Sequence, residues 1–247
     1  MSKHQPYEWS KTIGDPETRG IVLINQIMNR YSVTRPPEIV HEFVYVKKEE
    51  YKPVRQKLEE LIHRLQDEVR DDFTFRYRFI GSSSRNMITR DLKGNIGYDF
   101  DVDLFPNVDE DEYDADDINE IFRKALNRVA RPFGYDFPEN KTRVLRIKVK
   151  DRKHSRIEHS CDFAIKRELP NRRCQYVHFN EKQNKCCWQM MDEKSLKRKE
   201  EHLKKDSLWG TVRDRYLDYK NRPENAGLKS RSVYRKTIHD VYNEYMN

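Results

Sequence analysis

Apolar residues recur from Glu49 onward at Val54, Leu58, Leu61, Ile62, Leu65 and Val69, the spacing of a helix that buries one face. The period then changes to two. Phe75 to Ile80 reads as a strand feeding Gly81, and a short helix is expected over Ser82 to Met87. Tyr98, Phe100, Val102 and Leu104 alternate with Asp99, Asp101 and Asp103, so one strand carries an apolar face and an acidic face, with Pro106 expected to end it. Ile118, Ile121, Phe122, Ala125, Leu126 and Val129 predict an amphipathic helix ended by Pro132 and Gly134. Val144 to Val149 and Ile157 to Ile165 read as a hairpin. In its second strand Ile157, His159, Cys161, Phe163 and Ile165 form a core face, and Glu158, Ser160, Asp162 and Ala164 form the other. Tyr176 to Phe179 and Cys186 to Met190 predict a further hairpin. Leu208, Val212, Tyr216 and Tyr219, then Val233, Ile238, Val241 and Tyr245, predict closing helices. Near the start, Asp15-Pro16 reads as a helix cap, Ile21, Ile24, Met28 and Tyr31 keep helical spacing, and Arg35-Pro36-Pro37 breaks the helix.

Helices, then a mixed sheet, then helices make an α+β chain. The expected division is a sheet lobe with its N-terminal helices over residues 1–191 and a small helical lobe over 192–247. Charged residues (37%) match hydrophobic ones (36%), and no apolar run reaches membrane length, so a soluble protein is expected. No signal-peptide pattern opens the chain, and the four cysteines do not form a disulfide framework, which points to the cytoplasm. The net charge is +7 although much acid lies between Asp99 and Asp117, so the remainder is strongly basic and suits anionic partners such as a nucleoside triphosphate or RNA. The basic run Lys194 to Lys205, interleaved with Glu200 and Glu201, reads equally well as a solvated helix surface.

Two features carry chemistry. A Gly81-Ser82-Ser83 turn after an apolar strand can hold a phosphate through N–H groups and hydroxyls. Aspartates at alternate positions repel one another unless cations sit among them, and Mg²⁺ favours a few carboxylates plus phosphate oxygens. Together they describe a site for moving a nucleotide. The plain alternative for Asp99 to Asp103 is the solvated face of an ordinary strand.

The order apolar residue, Gly81-Ser82, spacer, Asp99-Phe100-Asp101 resembles the nucleotidyltransferase superfamily of DNA polymerase beta, poly(A) polymerases, oligoadenylate synthases and bacterial cyclic-oligonucleotide synthases. The spacer containing Lys93-Gly94-Asn95 is longer than the family's commonest spacing. The resemblance implies a mixed-sheet nucleotidyltransferase lobe with a helical lobe beside it. It implies a phosphate turn at Gly81, Ser82 and Ser83, and Asp99 and Asp101 as ligands of Mg²⁺ or Mn²⁺, with Asp101 and Asp103 as the second register. It also implies a third carboxylate on a neighbouring strand, for which Asp162 is the candidate and Glu158 the fallback. Basic residues of the C-terminal lobe would meet the triphosphate, with Lys220 as candidate, and Tyr216 or Tyr219 is placed either to stack on a base or in the core. The implied activity is transfer of a nucleoside monophosphate to an acceptor hydroxyl with release of pyrophosphate. The acceptor stays open between a second nucleotide, which would give cyclic or linear oligonucleotides, and RNA, a protein or a small molecule. A non-catalytic nucleotide or RNA sensor of the same fold is the contrasting class. Cys174, His178, Cys186 and Cys187 are zinc-ligand types, but neighbours on a regular strand point to opposite faces.

Overall fold

The computed structural model describes residues 41–109, 112–170, 173–191 and 194–246. The helix expected around Asp15 to Tyr31 and its break at Arg35 to Pro37 lie outside the described residues. In chain order the elements are β1 (Phe43–Tyr45), α1 (Lys48–Glu68), β2 (Thr74–Ile80), α2 (Gly81–Ser84), β3 (Thr89–Asp91), β4 (Ile96–Asn107), α3 (Ala115–Val129), β5 (Glu139–Lys141), β6 (Val144–Asp151), β7 (Arg156–Glu168), β8 (Cys174–Asn180), β9 (Lys185–Met190), α4 (Lys194–Lys205), α5 (Trp209–Asn221) and α6 (Ser230–Met246).

The main sheet runs in the order β2-β4-β7-β6-β5, and the β8/β9 hairpin continues from the far end of β7. Its central pair, β4 and β7, is parallel, while the other pairings are antiparallel. One face of this mixed sheet is covered by α1 and α3. Phe100, Val102 and Leu104 of β4 and Phe163 of β7 are fully buried against Leu58, Leu61, Ile62 and Leu65 of α1 and Ile118, Phe122 and Leu126 of α3. The helical stripes read in the sequence are thus the buried stripes. Helix α3 begins where Asp114 accepts from the N–H groups of Asp116 (2.7 Å) and Asp117 (2.9 Å), so part of the acidic run serves as a cap.

A second apolar core gathers Leu203, Val212, Tyr216, Tyr219, Val233, Ile238 and Val241 from α4, α5 and α6, together with Met87. The small β1/β3 sheet ties this helical layer to the glycine turn. Phe43 and the Asn221 side-chain amide exchange two hydrogen bonds (2.7 and 3.0 Å), and the Tyr45 hydroxyl donates to the Arg213 carbonyl (2.6 Å).

Several expectations change. Strands β1, β3 and β5 have three residues each, too few to display a period, and were not anticipated. Strand β4 continues through Pro106 to Asn107; Pro106 lies beyond Leu104↔Ile165, the last described rung with β7, so its missing N–H breaks none of those rungs. The helix after Gly81 stops at Ser84, ahead of the left-handed Asn86 (φ 60°), rather than reaching Met87. Tyr245 is exposed instead of completing the last apolar stripe. Among the described residues no helix is long and apolar enough to cross a membrane.

Phe122 is fully buried and meets the rings of Phe73 and Phe75 edge-on at 5.3 and 5.1 Å. Phe122→Ala is expected to cost about 3–5 kcal/mol of folding free energy, read from denaturant midpoints. An unshifted midpoint would contradict the packing described.

Candidate active site

The face of the sheet opposite α1 and α3 carries the acidic residues. Because β4 is flanked by β2 and β7, Asp101 and Asp103 each have a defined neighbour on either side, and Asp99 has one on β7. Asp101 is in register with Ile80, the residue before Gly81, and with Asp162 on β7. Asp99 is opposite Ser160, and Asp103 lies between Arg78 and Ala164. The glycine turn, Asp99, Asp101 and Asp162 therefore come together across three adjacent strands. Glu158 lies nearer the N-terminal end of β7 and is exposed.

Gly81 has φ +67°, and a Cβ there would lie 2.0 Å from Oδ2 of Asp101. Glycine is required on both counts: the backbone is left-handed, and the carboxylate occupies the space. Ser83 is buried and its hydroxyl donates to the Ile80 carbonyl (3.0 Å), while the Ser84 hydroxyl donates to the Gly81 carbonyl (3.0 Å). These two serines brace the turn.

The three aspartates differ in their partners. Asp99 faces the open side, yet protein packed around it raises its pKa; the Ser160 hydroxyl, which donates to it, opposes the rise, as do the charges of Arg146 and Lys220, while Asp162 adds to it. Asp101 is pushed up to about 7, first by burial and then by the charges of Asp162 and Asp99, with Arg85 opposing. Asp162 is gripped by Arg146 of β6, whose Nε and Nη2 donate to its two carboxylate oxygens at 2.6 Å each. Asp103, the alternative ligand, has a buried side chain paired with Lys166 (2.7 Å) and Arg78 (3.4 Å). Among the described residues it is the one aspartate of β4 that is ion-paired with cations of its own sheet.

Helix α5 brings Lys220 to the edge of this group. The ammonium sits 3.7 Å from the centroid of the Phe43 ring and donates to the Ser230 hydroxyl (2.9 Å). Burial lowers its pKa to about 8, against the opposing pull of Asp99 and Asp91. Tyr216 and Tyr219 are buried in the helical core. Sequence reasoning missed the arginines. Burial lowers the pKa of Arg231, and the charges of Arg143, Arg235 and Arg85 lower it further, with Asp101 opposing, which sets these four arginines in one cluster. The cluster has no sequence signature, since it is drawn from the turn after α2, the turn before β6 and the first turns of α6. Arg146 did have one, because it alternates with the buried Leu145 and Ile147.

Asp99, Asp101 and Asp162 are hard oxygen donors from adjacent strands, and their mutual repulsion is visible in the raised pKa of Asp101. The donor set fits a divalent cation such as Mg²⁺ or Mn²⁺. Among the described residues no three His, Cys, Asp or Glu side chains already converge around a cation position. Here Arg146 holds both oxygens of Asp162. Among the described residues Cys174, His178, Cys186 and Cys187 do not converge either: the exposed Cys187 and half-buried Cys186 alternate along β9, and the Cys186 N–H donates to an Asp116 carboxylate oxygen (2.9 Å).

Gly81→Ala is expected to lower stability by about 2 kcal/mol or more, through the left-handed backbone and the displaced carboxylate. Calorimetry checks this. For Asp101 the folded pKa is raised, so folding takes up a proton between the ordinary aspartate range and about 7. The stability of the cation-free protein should therefore fall, relative to Asp101→Asn, as pH rises from about 4 to about 7 and then level off. Parallel urea titrations across that range read the difference directly.

No family model and no curated protein matches this chain. It is similar in structure to the CD-NTase CdnG of Bradyrhizobium diazoefficiens in complex with GTP, with 10% identity over 63% of this chain and 42% of that one, at a TM-score of 0.47. It is similar also to Vibrio cholerae DncV in a GTP-bound form, with 16% identity over 79% of this chain and 52% of that one, at 0.49. Another structure of that protein, described as a cyclic AMP-GMP synthase and a prokaryotic cGAS homolog, is 14% identical over 92% of this chain and 67% of that one, at 0.48. The chain spans about half the length of the first two.

Proposed function

We propose that this chain is a divalent-cation-dependent nucleotidyltransferase. The observation that carries the reading is the rung Ile80–Asp101–Asp162, which sets the Gly81 turn and two carboxylates side by side on the open face. Asp99 and Asp101, with Asp162, would hold Mg²⁺ or Mn²⁺. Such cations, when bound, neutralise charge on an attacking oxygen and on leaving pyrophosphate.

The chain's own residues would divide the remaining work. Gly81 and Ser82 offer backbone N–H groups and a hydroxyl to phosphate oxygens, and Ser83 keeps the turn in shape. Arg85, Arg231 and Lys220 set positive charge around the carboxylates, where a triphosphate needs it. Asp162 would take the proton of an acceptor hydroxyl. The acceptor oxygen then bonds to the α-phosphorus, the bond to the bridging oxygen breaks, and pyrophosphate departs. Beyond Asp162 the same face presents Arg146 and Lys148 of β6, the second paired with Glu139. The chain's net charge of +7 supports a phosphate-bearing acceptor, a second nucleotide or RNA, over a cationic small molecule.

The Arg146 grip on Asp162 favours a second reading, in which the fold binds a nucleotide without turnover. Incubation with each labelled ribonucleoside triphosphate and Mg²⁺ or Mn²⁺ separates the two. Transfer predicts pyrophosphate release and a new phosphatase-resistant product, reduced at least ~10³-fold in Asp101→Ala. Nucleotide binding without pyrophosphate release across nucleotide, RNA and protein acceptors would instead support the sensor.

A further inference from the structure

Arg146 occupies a two-sided position. Its register partner on β7 is Asp162, and its partner on the other side, on β5, is Glu139. At present the guanidinium forks across Asp162, using both carboxylate oxygens at 2.6 Å. The Arg146 side chain is 37% exposed and that of Asp162 only 14%, so the arginine has room to move and the carboxylate little. Glu139 is meanwhile held by Lys148, which is mostly covered, and by the exposed Lys141 (2.9 Å). A divalent cation that uses Asp162 needs at least one of the oxygens Arg146 now occupies. Two positive groups on the same carboxylate would also repel each other.

We propose that Arg146 is a positioning residue that competes with the divalent cation for Asp162: cation entry displaces the guanidinium, which swings across β6 to Glu139. This rests on Asp162 being a cation ligand. The fork then has a use in the cation-free protein. It cancels one of three crowded negative charges and keeps Asp162 from pressing further on Asp101 and Asp99, both of which already feel its charge.

The test is Mn²⁺ binding, followed by electron paramagnetic resonance without nucleotide, in wild type, Arg146→Gln, Arg146→Lys and Asp101→Asn. Losing a charge-assisted fork should tighten Mn²⁺ binding in Arg146→Gln by about tenfold. Arg146→Lys, which keeps the charge but not the fork, should tighten it less. A residue that merely supported the fold would weaken binding when replaced. Mn²⁺ affinity unchanged or reduced in Arg146→Gln, while wild type binds and Asp101→Asn does not, overturns the competition and leaves the cation site standing. No Mn²⁺ binding in any form removes the cation site and the competition with it. A second readout needs no variant at residue 146. In arginine-labelled wild type, the Nε–H resonance of Arg146 should shift on adding saturating Mg²⁺. A resonance that stays in place while Mg²⁺ binds also overturns the proposal.

Discussion

Like charge held at close quarters is the constraint around which this molecule is arranged. Asp99 and Asp101 lie two residues apart on one face of β4, and Asp162 stands on the adjacent rung of β7. Water alone cannot relieve the repulsion, because burial is the first cause of the raised pKa of Asp101. Relief comes from the periphery: Arg146 from β6, Arg85 from the turn after α2, Lys220 from α5 and a hydroxyl from Ser160. Each compensating group sits beside the acidic pair instead of between its members. The centre of the face is left electronegative, with a basic rim.

The opposite face makes this tolerable. Phe100, Val102 and Leu104 alternate with the aspartates and are fully buried under α1 and α3. Sliding β4 by one residue would exchange the two faces, exposing those side chains and burying carboxylates, so the hydrophobic core sets the register that crowds the charges. Strand β4 is also paired on both edges from Asp101 to Leu104, with β2 on one side and β7 on the other. Asp101 thus sits in a doubly paired stretch, while Asp99 is paired on the β7 side. Asp103 follows the same logic with a different outcome: deeper in the sheet, it is paired with Lys166 and becomes part of the support.

Much of this was legible beforehand, for identifiable reasons. The stripe Leu58, Leu61, Ile62, Leu65 and the alternation from Tyr98 to Leu104 are long enough to declare their periods, and both are buried as those periods require. The face bearing Asp162 followed from the same alternation in β7. What escaped was short or non-local. Three-residue strands have no period. The Arg85, Arg143, Arg231, Arg235 cluster joins residues as much as 150 positions apart, and nothing in the local sequence distinguishes those arginines from the many others.

The sequence by itself determined which residues face together along each strand and helix, since side-chain direction follows from backbone period alone. It also determined that a glycine-serine turn precedes an acidic strand. Only the tertiary structure decided which faces meet. Strand order puts Asp162 beside Asp101, Lys166 beside Asp103, and Arg146 between Asp162 and Glu139. Those pairings depend on which strands are neighbours and in what register, and these follow from burying one continuous apolar face under two helices, a property of the whole sheet and not of any segment within it.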